Sequence, residues 1–184
     1  MVKIILGLGN PGVEYAGTRH NCGVLLVDRI FNLLFRGQGS RASRSIFNDG
    51  YGWRRTKDIF LAEFPDLVLV KTAGLFMNES GKMIHDLKFK NYDFGNLFVA
   101  HDDLDIKLGE YKIQKGVGPK EHNGVLSVEQ ALGTKEFWRV RIGIENRQLA
   151  VDGETYVLQR FSPEEKEIIE SMIEKAAREL TAGL

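Results

Sequence analysis

The sequence predicts a single-domain, three-layer α/β fold, with a mixed, mostly parallel central sheet flanked by helices. Short runs rich in valine, isoleucine and leucine alternate with stretches in which apolar residues recur at helical spacing. The first run, Lys3 to Leu8 (KIILGL), is apolar almost throughout, as suits a strand covered on both faces. The middle runs follow one another without a helix between them, so part of the sheet must pair antiparallel. A chain of 184 residues, 43% hydrophobic and 27% charged, is expected to form one domain over 1–184, with a core that needs no disulfide or metal.

In chain order, the strand Lys3 to Leu8 is followed by a glycine-rich loop. Cys22 to Phe35 is predicted helical, with Val24, Leu25, Val27, Leu33 and Leu34 on the inner face. Arg36 to Ser43 (RGQGSRAS) reads as a loop. Strand-like runs follow around Ile46 to Arg54 and Asp58 to Phe64, then a valine-rich strand from Asp66 to Lys71. Ser80 to Phe89 is helical, with Met83, Ile84 and Leu87 inside. Leu97 to Ala100 (LFVA) is a buried strand expected to stop at an acidic cluster, His101 to Asp105. A shorter strand from Glu110 to Gln114, a helix from about Asn123 to Leu132 and an alternating strand from Phe137 to Ile144 complete the middle. Ser162-Pro163-Glu164-Glu165 opens the last helix, to about Leu180, with a serine cap, proline in the first turn and a reciprocating glutamate.

The formal net charge of +0 advertises no polyanionic partner, yet a neutral total can hide opposed faces. Arg36, Arg41, Arg44, Arg54, Arg55 and Lys57 crowd one stretch, while Glu164, Glu165, Glu167, Glu170 and Glu174 load the last helix. The single cysteine, Cys22, permits no intrachain disulfide and fits a reducing compartment. No cationic start with a long apolar run reads as a secretory signal, and no stretch approaches the ~20 apolar residues of a membrane span. The expected location is cytoplasmic.

Gly7-Leu8-Gly9-Asn10-Pro11-Gly12 matches the GxGxxG of dinucleotide sites, but Pro11, Gly12 and Gly17 hold the chain in a loop where such a site needs a helix at once. Its service is a tight turn that presents Asn10 beyond a strand end, where open α/β sheets bind ligands. The loop ends in Thr18-Arg19-His20-Asn21, so His20 sits on a rigid connection beside Asn10. Cys22 can be read as a thiol nucleophile or as a small buried helix residue. The cluster His101-Asp102-Asp103-Leu104-Asp105 invites a metal. In an extended segment, however, Asp102 faces away from His101 and Asp103, which disfavours gathering them round one ion. The other reading has one carboxylate orient an imidazole from another loop, making a base useful near neutral pH. No serine stands in a nucleophile elbow, so such a base would act on water.

GLGNPGVEYAGTRHN, FMNESGK (Phe76 to Lys82), VAHDDLD (Val99 to Asp105), HNG (His122 to Gly124), RVRIGI (Arg139 to Ile144) and RFSPEE (Arg160 to Glu165), in that order, resemble the bacterial peptidyl-tRNA hydrolases. The resemblance implies a monomeric esterase without metal or cofactor. It would cut the ester between a peptide and the tRNA 3′ end, recycling tRNA during translation. It implies His20 as general base, Asp102 as its carboxylate partner and Asn10 as a holder of the water and the 3′ end. Asn78 and Asn123 match asparagines that grip the peptide backbone and the scissile region. Tyr15, Phe76 and His122 fall in the same substrate-binding blocks, and Arg141 matches a residue that holds an acceptor-stem phosphate, with Lys112 and Lys115 as supplements. The implied partner is peptidyl-tRNA through its acceptor stem, 3′ end and nascent peptide, with no membrane and no obligate protein partner. The alternative is a non-catalytic RNA-binding relative of the same fold. The chain departs from the family pattern at Gln114, where a cation is usual, at Val117 and Pro119-Lys120-Glu121, and at Glu145-Asn146-Arg147.

Overall fold

The computed structural model describes residues 2–36, 52–89, 92–147 and 151–182. The elements are β1 (Lys3–Gly7), a 3-10 turn (Arg19–Asn21), α1 (Cys22–Arg36), β2 (Arg54–Thr56), β3 (Ile59–Phe64) and β4 (Leu67–Thr72). A second 3-10 turn (Met77–Glu79) leads into α2 (Gly81–Phe89), followed by β5 (Leu97–Lys107), β6 (Tyr111–Lys115), α3 (Asn123–Leu132), β7 (Trp138–Glu145), α4 (Gly153–Val157) and α5 (Pro163–Thr181). The seven-stranded sheet has the order β2-β3-β4-β1-β5-β7-β6. Strands β4, β1, β5 and β7 run parallel, whereas β3 and β6 run against their neighbours. No helix among the described residues is long and apolar enough to cross a membrane.

Alternation along the strands divides the core into two layers. Ile5, Leu69, Ala100, Val140 and Ile142 pack with Leu26, Val27 and Ile30 of α1 and with Ile169, Met172 and Ile173 of α5. Ile4, Leu6, Val68, Val70 and Val99 pack on the other face with Met83, Ile84 and Leu87 of α2 and with Val125 and Val128 of α3. Apolar runs without alternation are what two covered faces require. The last helix begins as expected: Ser162 caps Glu165 N–H, and the Glu165 carboxylate accepts from Ser162 N–H.

The structure departs from the sequence expectations in several places. Of the residues assigned to the inner face of α1, only Val27 is fully buried; the stripe is Cys22, Leu26, Val27, Ile30 and Phe31. Leu25, Leu33 and Leu34 pack along its flank, because the apolar arc of this helix is wider than the contact it makes. β5 does not stop at Ala100 but runs through the acidic cluster to Lys107. Its neighbour β1 pairs with it only as far as Ala100, while β7 continues alongside to Asp103 and, past an irregularity, to Lys107. The short α4 has no counterpart in the sequence reading. Most of the strand expected over 46–54, the loop over 37–43, and Arg41 and Arg44 lie outside the described residues.

Candidate active site

β1 pairs with β5 only as far as Ala100, two residues short of Asp102, so the Asp102 side chain stands in the crevice that opens where β1 stops and β7 carries on. The first turn of α1 lies directly over this crevice. Leu8 N–H donates to Ala100 O, and Leu8 O accepts from Val24 N–H. The approach depends on glycine: a Cβ on Gly23 would lie 2.2 Å from Ala100 O, and one on Gly7 would lie 2.4 Å from Gly23 O. A helix so close to the sheet carries the turn before it, and with it His20, to the strand end.

Both neighbours of His20 are anchored. The Arg19 guanidinium is buried, donating to Gln159 O (3.2 Å) and Arg160 O (2.9 Å) and pairing with Glu165 at 2.5 Å. It also lies over the rings of Tyr156 (4.0 Å) and Phe161 (5.0 Å). Asn21 makes a reciprocal pair with Asn10, accepting from Asn10 N–H (2.9 Å) and donating to Asn10 O (3.0 Å). His20, held between them, points its Nδ1 at Asp102, 3.0 Å from each carboxylate oxygen. A carboxylate accepts, so Nδ1 carries the proton and Nε2 keeps its lone pair. Burial by itself disfavours the imidazolium of His20, but the charge of Asp102 and the hydrogen bond to it outweigh burial, and the His20 pKa is raised. Burial pushes the other way on Asp102, yet the adjacent imidazoles of His20 and His122 hold its carboxyl well below the usual carboxylate range.

A second imidazole completes the group. His122 Nε2 lies 3.0 Å from Asp102 Oδ1. His122 is also the N-cap of α3, where its Nδ1 accepts from Gly124 N–H (3.1 Å) and Val125 N–H (3.2 Å). By donor type and spacing, His20, Asp102 and His122 form a group that could hold a metal ion. The cap argues against that use, because a Nδ1 lone pair spent on the helix leaves the proton on Nε2, the atom a metal would need. The other polar residues of the acidic cluster disperse. His101 is fully buried, donates Nδ1–H to Asp102 O at 2.8 Å and has its pKa pushed down to about 3, chiefly by burial. Asp103 takes Arg141, and Asp105 takes the Lys120 backbone N–H. Burial pushes the Cys22 thiol well above its ordinary pKa, so this residue is core and not a nucleophile.

The expected substrate residues are partly brought together. Asn10 is buried; its Oδ1 accepts from Met77 N–H (2.8 Å), leaving Nδ2 with no protein partner among the described residues. That bond docks the turn carrying Asn78 beside the loop. A Cβ on Gly124 would lie 2.4 Å from Met77 Sδ, so the start of α3 and Asn123 are seated on the same turn. Asn78 and Asn123 are exposed, with amides unengaged by protein among the described residues. Tyr15 and Phe76 meet edge to face with centroids 6.2 Å apart, and Phe76 is 47% exposed, an apolar wall on the same side. Both ring nitrogens of His122 have protein partners, and its side chain is 4% exposed.

Arg141 is not open to solvent either. Its Nε pairs with Asp103 at 2.7 Å and its Nη1 donates to Gln114 Oε1 at 3.0 Å. Gly118, at φ +64°, lies so close over the guanidinium that a Cβ there would sit 2.3 Å from Cζ. The altered loop is therefore tied down from beneath by Arg141 and at Lys120 by Asp105. Lys112 and Lys115 lie on opposite faces of β6: Lys112 stands opposite Arg141, whereas Lys115 shares the face of Tyr111 and Ile113, which pack on the α1 and α5 side. A groove of about 770 Å³ between α1 and α5 contains neither His20 nor Asp102. Its lining includes the internal ion pairs Arg29–Glu174 and Lys166–Glu170.

Comparison with known proteins gives the family. The model of the peptidyl-tRNA hydrolase family matches residues 4–184. The chain belongs to the peptidyl-tRNA hydrolase family. It is 38% identical over 191 residues to the peptidyl-tRNA hydrolase of Geotalea uraniireducens, covering 100% of this chain and 92% of that protein. It is 38% identical over 176 residues to that of Mycobacterium tuberculosis, covering 95% and 86%. The crystal structure of peptidyl-tRNA hydrolase from Acinetobacter baumannii superposes with a TM-score of 0.80 at 25% identity, over 97% of this chain and 86% of that one. As a peptidyl-tRNA hydrolase, the chain hydrolyses the ester bond of peptidyl-tRNA and serves translation. Sequence reasoning missed the capping by His122 and the anchoring by Arg19. The signal for the first was present: His122 immediately precedes a helix, the position of a cap.

Proposed function

We propose that His20 Nε2 is the general base of this hydrolysis. It takes a proton from a water molecule as the water oxygen attacks the ester carbonyl carbon. The carbonyl carbon gains the water oxygen, and collapse breaks its bond to the ribose oxygen. The proton held on Nε2 then passes to that leaving oxygen, so tRNA with a free hydroxyl departs, and the peptide carboxylic acid gives up its remaining proton to solvent. Asp102 supports the step by keeping the His20 proton on Nδ1 and by stabilising the imidazolium. The observation that carries this reading is the contact of His20 Nδ1 with both Asp102 oxygens, which leaves Nε2 as the free lone pair.

Asn10 Nδ2 is the donor for the water or the 3′ end, and the exposed amides of Asn78 and Asn123 bind backbone groups of the peptide, which suits a substrate of any sequence. Tyr15 and Phe76 line the peptide side. For the acceptor stem, Lys112 is the accessible cation on the Arg141 face, and Arg141 serves chiefly to support the loop above it. The protein is proposed to act in the cytoplasm as a single-domain monomer without an obligate protein partner, as its lone buried cysteine and a diffusible tRNA substrate suit. A non-catalytic RNA-binding role is not favoured with Asn10, His20 and Asp102 assembled. The test is release of tRNA from diacetyl-lysyl-tRNA by the parent and by His20→Ala, with and without EDTA. The variant should lose ~10²–10⁴-fold in kcat with substrate binding largely kept. A variant retaining more than about a third of the parental kcat would remove His20 from the role, and loss of parental activity in EDTA would restore a metal.

A further inference from the structure

The dyad of His20 and Asp102 leaves one strong contact without a purpose, the second imidazole on the same carboxylate. His122 is buried, yet it makes no apolar core of its own. Its Nδ1 accepts from Gly124 N–H at 3.1 Å and Val125 N–H at 3.2 Å, and its Nε2 meets Asp102 Oδ1 at 3.0 Å. Asp102 Oδ1 thus has two imidazole neighbours, while Oδ2 has His20 alone among the described residues. A carboxylate held from one side turns readily about its last torsion. A donor arriving from a different element fixes its plane. The donor in this case begins the helix whose first residue is Asn123.

We propose that His122 is a positioning residue of the hydrolytic dyad: its capping of α3 fixes the proton on Nε2, and that N–H aims the Asp102 carboxylate at His20 while tying Asn123 to the same frame. This rests on the reading of His20 as the base. Backbone N–H groups that need an acceptor select one tautomer, and the selected tautomer can only donate to Asp102. The cap and the dyad are therefore set together.

The arrangement has an electrostatic consequence with a definite sign. The groups around His20 are Asp102 and His101 on β5, His122 at the start of α3, Cys22 on α1 and Arg19 beside it. His101 packs edge-on against His122 (5.0 Å) and is neutral, its pKa being about 3. The Cys22 thiol stays protonated, and Arg19 is directed away into Glu165. Asp102 and His122 are left to govern the titration of His20. The His122 N–H presents the positive end of a dipole to the carboxylate and so competes with His20 for it. Removing that donor frees the carboxylate to hold the imidazolium more strongly, and His20 should titrate higher.

His122→Asn separates the two tasks, because asparagine is a good helix cap but is too short to reach Asp102 from the cap position. His122→Ala removes both. Each would be measured by thermal melting, by the pH profile of kcat and KM on peptidyl-tRNA, and by NMR titration of the His20 ring, assigned with His20→Ala. His122→Asn should melt near the parent and His122→Ala lower. In both, kcat should fall about tenfold with KM moved less, and His20 should titrate higher by about half a unit to one unit, the effect of one neutral hydrogen bond. A His20 titration that stays put or moves down in His122→Asn overturns the proposal. Parental kcat in that variant, with only His122→Ala melting lower, would make His122 a helix cap and nothing more. Activity surviving in His20→Ala would instead sink the base assignment, a separate failure that leaves the titration order of the His122 variants to be judged on its own.

Discussion

Asp102→Asn is the change in which the geometry forces the largest effect for the least alteration in shape. The new side chain offers one oxygen and one NH2 in place of two equivalent oxygens. His122 cannot adapt, because its Nδ1 is committed to the α3 backbone and its Nε2–H must find an acceptor at position 102. The amide oxygen therefore takes the Oδ1 place, beside His122 and His20, and the NH2 takes the Oδ2 place, 3.0 Å from His20 Nδ1. A donor there favours the tautomer in which Nδ1 accepts and the His20 proton sits on Nε2, the atom that has to take the proton from water. The same substitution in a Ser-His-Asp triad costs about 10⁴ in kcat through the wrong tautomer. Without a bound nucleophile to disturb, ~10²–10⁴ is expected here, about 3–5.5 kcal/mol in barrier. The residual activity carries a second signature. In the parent, Asp102 outweighs burial and raises the His20 pKa, so the imidazole becomes a base only above that raised value. In the variant burial remains and the carboxylate charge is gone, so the acidic limb of the kcat profile should move to lower pH. Single-turnover hydrolysis of peptidyl-tRNA from pH 5 to 9 reads both effects. A kcat within threefold of the parent, on an unmoved acidic limb, would refute the dyad.

The asparagines should behave differently. Because Asn78 and Asn123 are exposed and bond to no protein group among the described residues, alanine at either should leave the melting temperature within about 2 °C of the parent. Each should lower kcat/KM by the net worth of its lost hydrogen bonds, ~0.5–1.5 kcal/mol apiece; a large melting loss with parental kinetics would make either residue structural. Arg141→Ala strands the Asp103 carboxylate, 0% exposed, without its ion pair and should destabilise by ~3–5 kcal/mol in a denaturant titration. A loss under about 1 kcal/mol would show that Arg141 is not the strut described. Lys112→Ala should keep its stability but flatten the salt dependence of tRNA affinity by roughly 0.7–0.9 in log–log slope, the share of one phosphate contact. An unchanged slope would move the acceptor stem elsewhere.

The layers of the fold were legible because strands covered on both faces and amphipathic helices write their burial into composition, as in KIILGL and in the stripe of α2. Boundaries failed where a partner decides them. The run LFVA looks complete at Ala100, and only the longer neighbour β7 carries β5 on through His101, Asp102 and Asp103. Those residues are tolerable in a sheet because each side chain finds a partner: the neighbouring Asp102 O for His101 and, from other elements, His20 and His122 for Asp102 and Arg141 for Asp103. None of the pairings between elements has a sequence spacing that could announce it. The roles proposed for His20, Asp102 and the asparagines came from the resemblance, while the residues themselves pointed to Asn10 and His20 through their loop after β1 and to one carboxylate of the cluster as a partner for an imidazole.

The phosphate side shows how alternation can be sufficient and still be underused. In the sequence Lys112 and Lys115 stand together as supplements to Arg141, yet a period of two places Lys115 on the opposite face from Lys112 and Gln114, and Tyr111 and Ile113 in the α1 and α5 core fix which face is which. On the shared face, Gln114 donates no charge but accepts from Arg141, which is already neutralised by Asp103. A lysine at 114 would therefore meet a guanidinium across the strand pair and lose the acceptor that steadies it. Adding a cation at this position is expected to weaken the sheet edge before it strengthens tRNA binding. The departure from the family pattern at Gln114 and the burial of Arg141 are thus one arrangement: the chain keeps the arginine inside, beneath Gly118, and leaves Lys112 as an exposed cation on the same face.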